Sequence, residues 1–91
     1  MGEISAAALD HYSRMVDACL GHGIEPVVTL HHFTSPQWLI RHNGGWRSQD
    51  TAARFADYAG VLMARLGDRV SWVCTINEPN MLVLNSYLGR Q

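Results

Sequence analysis

Pro26-Val27-Val28-Thr29-Leu30-His31-His32-Phe33 decides the fold. The run is rich in β-branched and apolar residues and does not alternate with polar ones, so it predicts a strand buried on both faces, as parallel strands are. A parallel strand must be followed by a crossover. Ser35-Pro36 reads as an N-cap and first-turn proline opening a short helix through Leu39, and Asn43-Gly44-Gly45 ends it in a tight turn. A second, longer helix starts after Ser48, with Phe55, Ala59, Leu62 and Leu66 as its buried stripe and Gly67 at its end. Val70 to Ile76 then reads as another strand.

Upstream, Leu9, Tyr12, Val16, Cys19 and Leu20 recur at helical spacing. A helix is expected near residues 5 to 20, stopped by Gly21 and Gly23, where glycine supplies the left-handed C-terminal turn. The order is helix, strand, helical crossover, strand, with no hairpin signal, which is βαβ grammar. Right-handed crossovers set successive parallel strands side by side, so the ends at His31-His32 and Asn77-Glu78 emerge on one face.

The chain has 91 residues and is 47% apolar and 16% charged, the composition of a globular protein rather than a disordered one. A (β/α) barrel needs roughly 250 residues to close, so barrel-type motifs at this length imply about a third of one. The fold class expected is α/β: a partial TIM (β/α)8 barrel of about two parallel strands with flanking helices, residues 1–91 forming a fragment of one barrel domain. The net charge is −1, with the charges scattered, so no nucleic-acid or membrane-surface footprint is expected. Apolar runs such as Val27 to Leu30 and Met81 to Leu84 are too short to span a bilayer, and no charged-then-apolar leader opens the chain. A cytoplasmic address is the expectation. Cys19 and Cys74 lie in different elements without CxxC spacing, so both are expected to be buried small hydrophobes.

Asn77-Glu78-Pro79 stands where the second strand ends. A carboxyl directly after Trp72-Val73-Cys74-Thr75-Ile76 is expected to be poorly solvated, which raises its pKa. A glutamate kept partly protonated is what donating a proton to a glycosidic oxygen requires, and Asn77 beside it can hydrogen-bond a sugar hydroxyl. Pro79 biases Glu78 toward extended backbone. The tripeptide alone is equally compatible with a strand-ending glutamate that caps the next helix. At the matching end of the first strand, imidazole nitrogens of His32 suit ring hydroxyls and the ring of Phe33 suits the apolar face of a pyranose. His31, out of phase with His32, is expected to point into packing.

Other side chains read as structure. Trp46, after Gly44-Gly45, is expected at the far end of the crossover, anchoring a turn. His11, His22 and His42 have no metal-ligand spacing. Arg41, Arg47, Arg54, Arg65 and Arg69 read as solvated charge. His31, His32 and Glu78 are a ligand-like set, but adjacent strand residues point oppositely, so no metal is expected.

Several spaced motifs together resemble a segment of glycoside hydrolase family 1, the β-glucosidase family. They are Leu9-Asp10-His11-Tyr12, Gly23-Ile24-Glu25-Pro26, Val28 through Phe33, Pro36, Gly44-Gly45-Trp46, Phe55-Ala56-Asp57-Tyr58-Ala59, Gly67-Asp68-Arg69-Val70 and Trp72 through Pro79. The resemblance implies barrel strands three and four. It implies hydrolysis of O-glycosyl bonds of retaining β-glucosidase type, with Glu78 as general acid and base, Asn77 contacting the sugar beside the reacting carbon, and His32 binding a hydroxyl. Phe33 falls where the family often has tryptophan, and Thr34-Ser35-Pro36 stands where it commonly has Asp-Leu-Pro. The family's nucleophile lies on the seventh strand in a Glu-Asn-Gly motif, which does not occur after Pro79, so no nucleophile is expected within this chain. The expected partner is a β-glycoside in the full-length parent, and no cofactor is implied, since the cleavage needs two carboxyls and water. Alone, the chain is expected to be inactive. The competing expectation is a non-catalytic remnant that self-associates through open strand edges.

Overall fold

A computed structural model describes residues 4–88. Helix α1 (Ala6–Gly21) is capped by Ser5, whose hydroxyl accepts from the Ala8 amide at 3.2 Å. It closes with Gly23 at φ 72°, where the Gly23 amide donates to the Leu20 carbonyl at 3.1 Å and the Ile24 amide to the Cys19 carbonyl at 2.8 Å. That pair of bonds is a Schellman motif, and the left-handed residue it needs is the expected glycine. Strand β1 (Val27–His31) follows, then α2 (Gln37–Asn43), a 3-10 turn at Gly45–Arg47, α3 (Asp50–Leu66), strand β2 (Trp72–Ile76), α4 (Pro79–Val83) and a π-type turn at Leu84–Leu88.

The two strands pair in parallel, Val27 beside Trp72 and His31 beside Ile76, with α2 and α3 carrying the crossover. The element order is the expected one. Val16 of α1, Leu66 of α3 and Val70 form the buried cluster, with Val28 of β1 packed on it. Helices α1 and α3 therefore share one face of the sheet. Burying each such side chain contributes on the order of 1.5–3 kcal/mol. Arg69 ties the same two helices at their rim, donating to Asp17 at 2.7 Å and to the carbonyls of Ser13 and Arg65, while Arg65 pairs with Asp10 at 2.6 Å.

Several local expectations are corrected. The strands are not covered on both faces: Val27 is 60% and Trp72 63% exposed, because helices pack on one side and the described residues supply no layer for the other. For the same reason Cys74 is exposed; Cys19, on α1, is half-buried rather than buried. Pro36, not Ser35, is the N-cap of α2, and the Ser35 hydroxyl is engaged elsewhere. Gly67 ends α3 as expected, with an ordinary helical backbone (φ −64°) and a close approach to Met63. The side chain of His42 lies outside the described residues.

Candidate active site

The last ladder pair, His31 with Ile76, is extended by the Asn77 amide donating to the His31 carbonyl at 2.8 Å. Continuing that register sets His32 level with Asn77 and Phe33 level with Glu78. Both strands then leave the sheet through backbone that L residues avoid. Phe33 (φ 66°) and Glu78 (φ 43°, ψ 63°) are the non-glycine residues with positive φ among the described residues. The left-handed region costs such residues on the order of 1–2 kcal/mol. Strain of this kind persists only where the surroundings over-determine it, and it concentrates at functional positions.

At Glu78 the strain replaces the extended backbone expected before Pro79. Proline excludes the right-handed helical region for the preceding residue, yet the chain must reverse from β2 into α4 within one residue, and the left-handed region accomplishes this. The Glu78 carbonyl accepts from the Met81 and Leu82 amides at 3.0 and 3.2 Å, so its backbone starts α4. Its side chain makes no capping bond. The carboxylate is thus free of the structural task that competed with a chemical one. It is also exposed rather than poorly solvated, because nothing among the described residues covers the open side of β2.

At Phe33 the Thr34 amide donates to the His32 carbonyl at 2.9 Å, a three-residue γ-turn centred on the left-handed residue. His32 is exposed and its ring meets Phe33 edge-on, 5.4 Å between centroids. His31 is buried, as expected, but for a different reason. Val27 and Thr29 lie on the open face, and alternation would put His31 with them. It is covered instead by the crossover, where its Nε2 lies 3.1 Å from the Ser35 hydroxyl and its ring 4.8 Å from that of Trp46. Burial, with a smaller contribution from His32, pushes the His31 imidazole below its ordinary pKa.

Trp46 is therefore not at the far end of the crossover. It packs at the C-terminal end of β1, donating its indole N–H to Ser35 at 3.0 Å and stacking obliquely on Phe55 of α3. Its anchoring role stands. Tyr58, also on α3, fixes the same strand end by donating to the Leu30 carbonyl at 2.7 Å. The place of the Ser35 hydroxyl between the His31 and Trp46 rings was missed. The available signal was its departure from the Asp-Leu-Pro pattern in the loop directly after β1.

The structure brings the ends bearing His32 and Phe33 together with those bearing Asn77 and Glu78. Among the described residues Glu78 and His32 make no hydrogen bond to each other, and no three His, Cys, Asp or Glu side chains gather in a metal-ligating group. What the arrangement offers is an unengaged carboxylate next to an imidazole, an amide and an aromatic ring.

The family model described as glycosyl hydrolase family 1 matches residues 1–91. The chain belongs to that family. Family 1 relatives include thermostable beta-glucosidase B of Thermobispora bispora, 53% identical over 78 residues that cover 86% of this chain and 16% of the relative. A bifunctional beta-D-glucosidase/beta-D-fucosidase of Bifidobacterium breve is 44% identical, covering 99% of this chain and 20% of its own. Among solved family 1 structures, a beta-glucosidase from Thermotoga maritima in complex with deoxynojirimycin superposes with a TM-score of 0.86 at 37% identity, over 92% of this chain and 19% of that one. The two parallel strands and their helices are thus part of a TIM barrel, and the chain spans about a sixth to a fifth of the length of these relatives.

Proposed function

We propose that residues 1–91 supply the acid/base half of a retaining β-glycosidase site within a single barrel domain. The observation that carries this reading is Glu78. It ends a barrel strand in a strained backbone, with its side chain uncommitted and the His32-Phe33 turn beside it. Glu78 protonates the glycosidic oxygen as the bond breaks and then, as a carboxylate, takes the proton from the attacking water. Phe33 packs against the sugar ring, while His32 and Asn77 hydrogen-bond its hydroxyls. The nucleophilic carboxylate, about 5 Å from the acid in retaining enzymes, comes from residues of the complete barrel outside this segment. The substrate class follows the relatives: β-glucosides, in keeping with beta-glucosidases such as that of Thermotoga maritima, which is solved in complex with deoxynojirimycin and with castanospermine.

The test is Glu78→Gln in the complete barrel that carries this segment. Turnover of an alkyl β-glucoside should fall about 10²- to 10⁴-fold, and that of an aryl glucoside whose leaving group needs no protonation much less at the glycosylation step. Equal, small losses on both would remove Glu78 from the acid role.

The exposed Val27, Trp72 and Val73 favour a second reading for the segment made alone. An open two-stranded sheet presents unpaired edges and an uncovered apolar face, and copies associate through them. Sedimentation of the isolated chain as a cooperatively melting monomer would rule that out.

A further inference from the structure

We propose that Ser35 is a positioning residue for sugar binding: its hydroxyl staples the strained His32-Phe33-Thr34 turn shut by joining the His31 ring to the Trp46 indole. His31 and Ser35 are the residues immediately before and after that three-residue turn. The bond between their side chains, 3.1 Å, closes a small loop around Phe33. Both ends of the staple are anchored. His31 is nine-tenths buried, and its carbonyl is held by the Asn77 amide. Ser35 is held by Trp46, which stands on a 3-10 turn whose Gly45 carbonyl accepts from the fully buried Thr51 hydroxyl, and which packs on Phe55.

The hydrogen-bond inventory favours one arrangement. An indole N–H only donates, so Trp46 occupies one lone pair of the Ser35 oxygen. The His31 Nδ1 is buried with no partner, and an orphaned buried acceptor is tolerated more readily than an orphaned donor. The Nε2–Oγ bond forms with either tautomer, and the unpartnered Nδ1 favours the one with the proton on Nε2, in which Ser35 accepts from both rings. Neither a leucine nor an alanine at position 35 could do this.

The proposal rests on the reading of His32 and Phe33 as sugar-binding residues, and the experiment has one arm that does not. In the complete barrel, Ser35→Ala should raise KM for an aryl β-glucoside by up to about tenfold with kcat nearly unchanged, because the bond lost orients the sugar-binding turn and not the acid on the other strand. Ser35→Thr, which keeps the hydroxyl, should return KM toward the parent value. An unchanged KM in folded Ser35→Ala, or no recovery with threonine, overturns the proposal. If the alanine variant does not fold, Trp46→Phe removes the donor and keeps a ring. It should raise KM in the same way, and an unchanged KM counts against the staple equally. In the independent arm, the indole N–H proton of Trp46 should move upfield in Ser35→Ala, and an unmoved resonance also overturns the staple. A moved resonance in a barrel where Glu78→Gln leaves turnover intact keeps the staple and removes the proposed function.

Discussion

The carbonyl of His31 accepts the amide of Asn77 at 2.8 Å while the ring of the same histidine meets the Ser35 hydroxyl, so one residue holds both strand ends of the site. Its side chain and backbone act on different strands. The bond to Asn77 is made by the His31 backbone and the contact with Ser35 by its ring.

Acid should loosen this corner. In the unfolded chain the His31 imidazole titrates near its ordinary value of about 6.5, and in the fold burial holds it lower. Between those two values the unfolded chain binds more protons, so stability rises with pH there. The His31 contribution is complete above about 6.5 and is lost as pH falls through the folded value. Melting temperatures of the complete protein and of His31→Phe, compared from about pH 7.5 to about pH 5, should converge or cross toward acid. A constant difference across that range would contradict the linkage.

The strain at Phe33 has a measurable sign. Glycine adopts positive φ without the Cβ penalty and alanine does not, so Phe33→Gly should be more stable than Phe33→Ala by about 1 kcal/mol, even though glycine is the more flexible residue when unfolded. Urea midpoints of the two variants decide it, and the reverse order would show that the turn is not strained.

Gly67→Ala makes the opposite case. At φ −64° the substitution is ordinarily neutral or stabilising, but a Cβ here would collide with the Met63 carbonyl that the Gly67 amide bonds at 2.8 Å. The expected result is a loss of about 1–3 kcal/mol by denaturant unfolding. A stabilised variant would mean that the helix end relaxes freely.

Leu66 is 3% exposed and joins α3 to Val16 of α1 and to Val70. Leu66→Ala should cost about 2–5 kcal/mol, with the low end expected if α1 settles into the space. Chemical unfolding of the complete protein reads the loss, and a change under about 0.5 kcal/mol would show that this cluster is not the core of the segment.

Much of the fold was legible because it rests on local rules. The 3.6-residue stripe through Leu9, Val16 and Leu20, the Gly23 turn and the β-branched run at Val27–Thr29 each act within a few residues, and each element appeared in place. The misjudged features depend on contacts across the chain. Trp46 sits 15 residues after His31 yet packs on it, because the crossover folds back over the end of β1. Ser35 looked like a helix cap because Ser-Pro commonly is one, and its actual partners lie on either side of it in space.

By itself the sequence determined the order of strands and helices, the parallel pairing that a long crossover forces, and the family, since several motifs in register survive without any knowledge of their contacts. The tertiary structure alone decided how the two strand ends are held. Whether Glu78 spends its carboxylate on a cap, whether His31 faces a sugar or a tryptophan, and whether Phe33 turns left-handed all follow from which groups happen to compete for each hydrogen bond. That competition is settled by distances between residues far apart in the chain, which no spacing rule encodes.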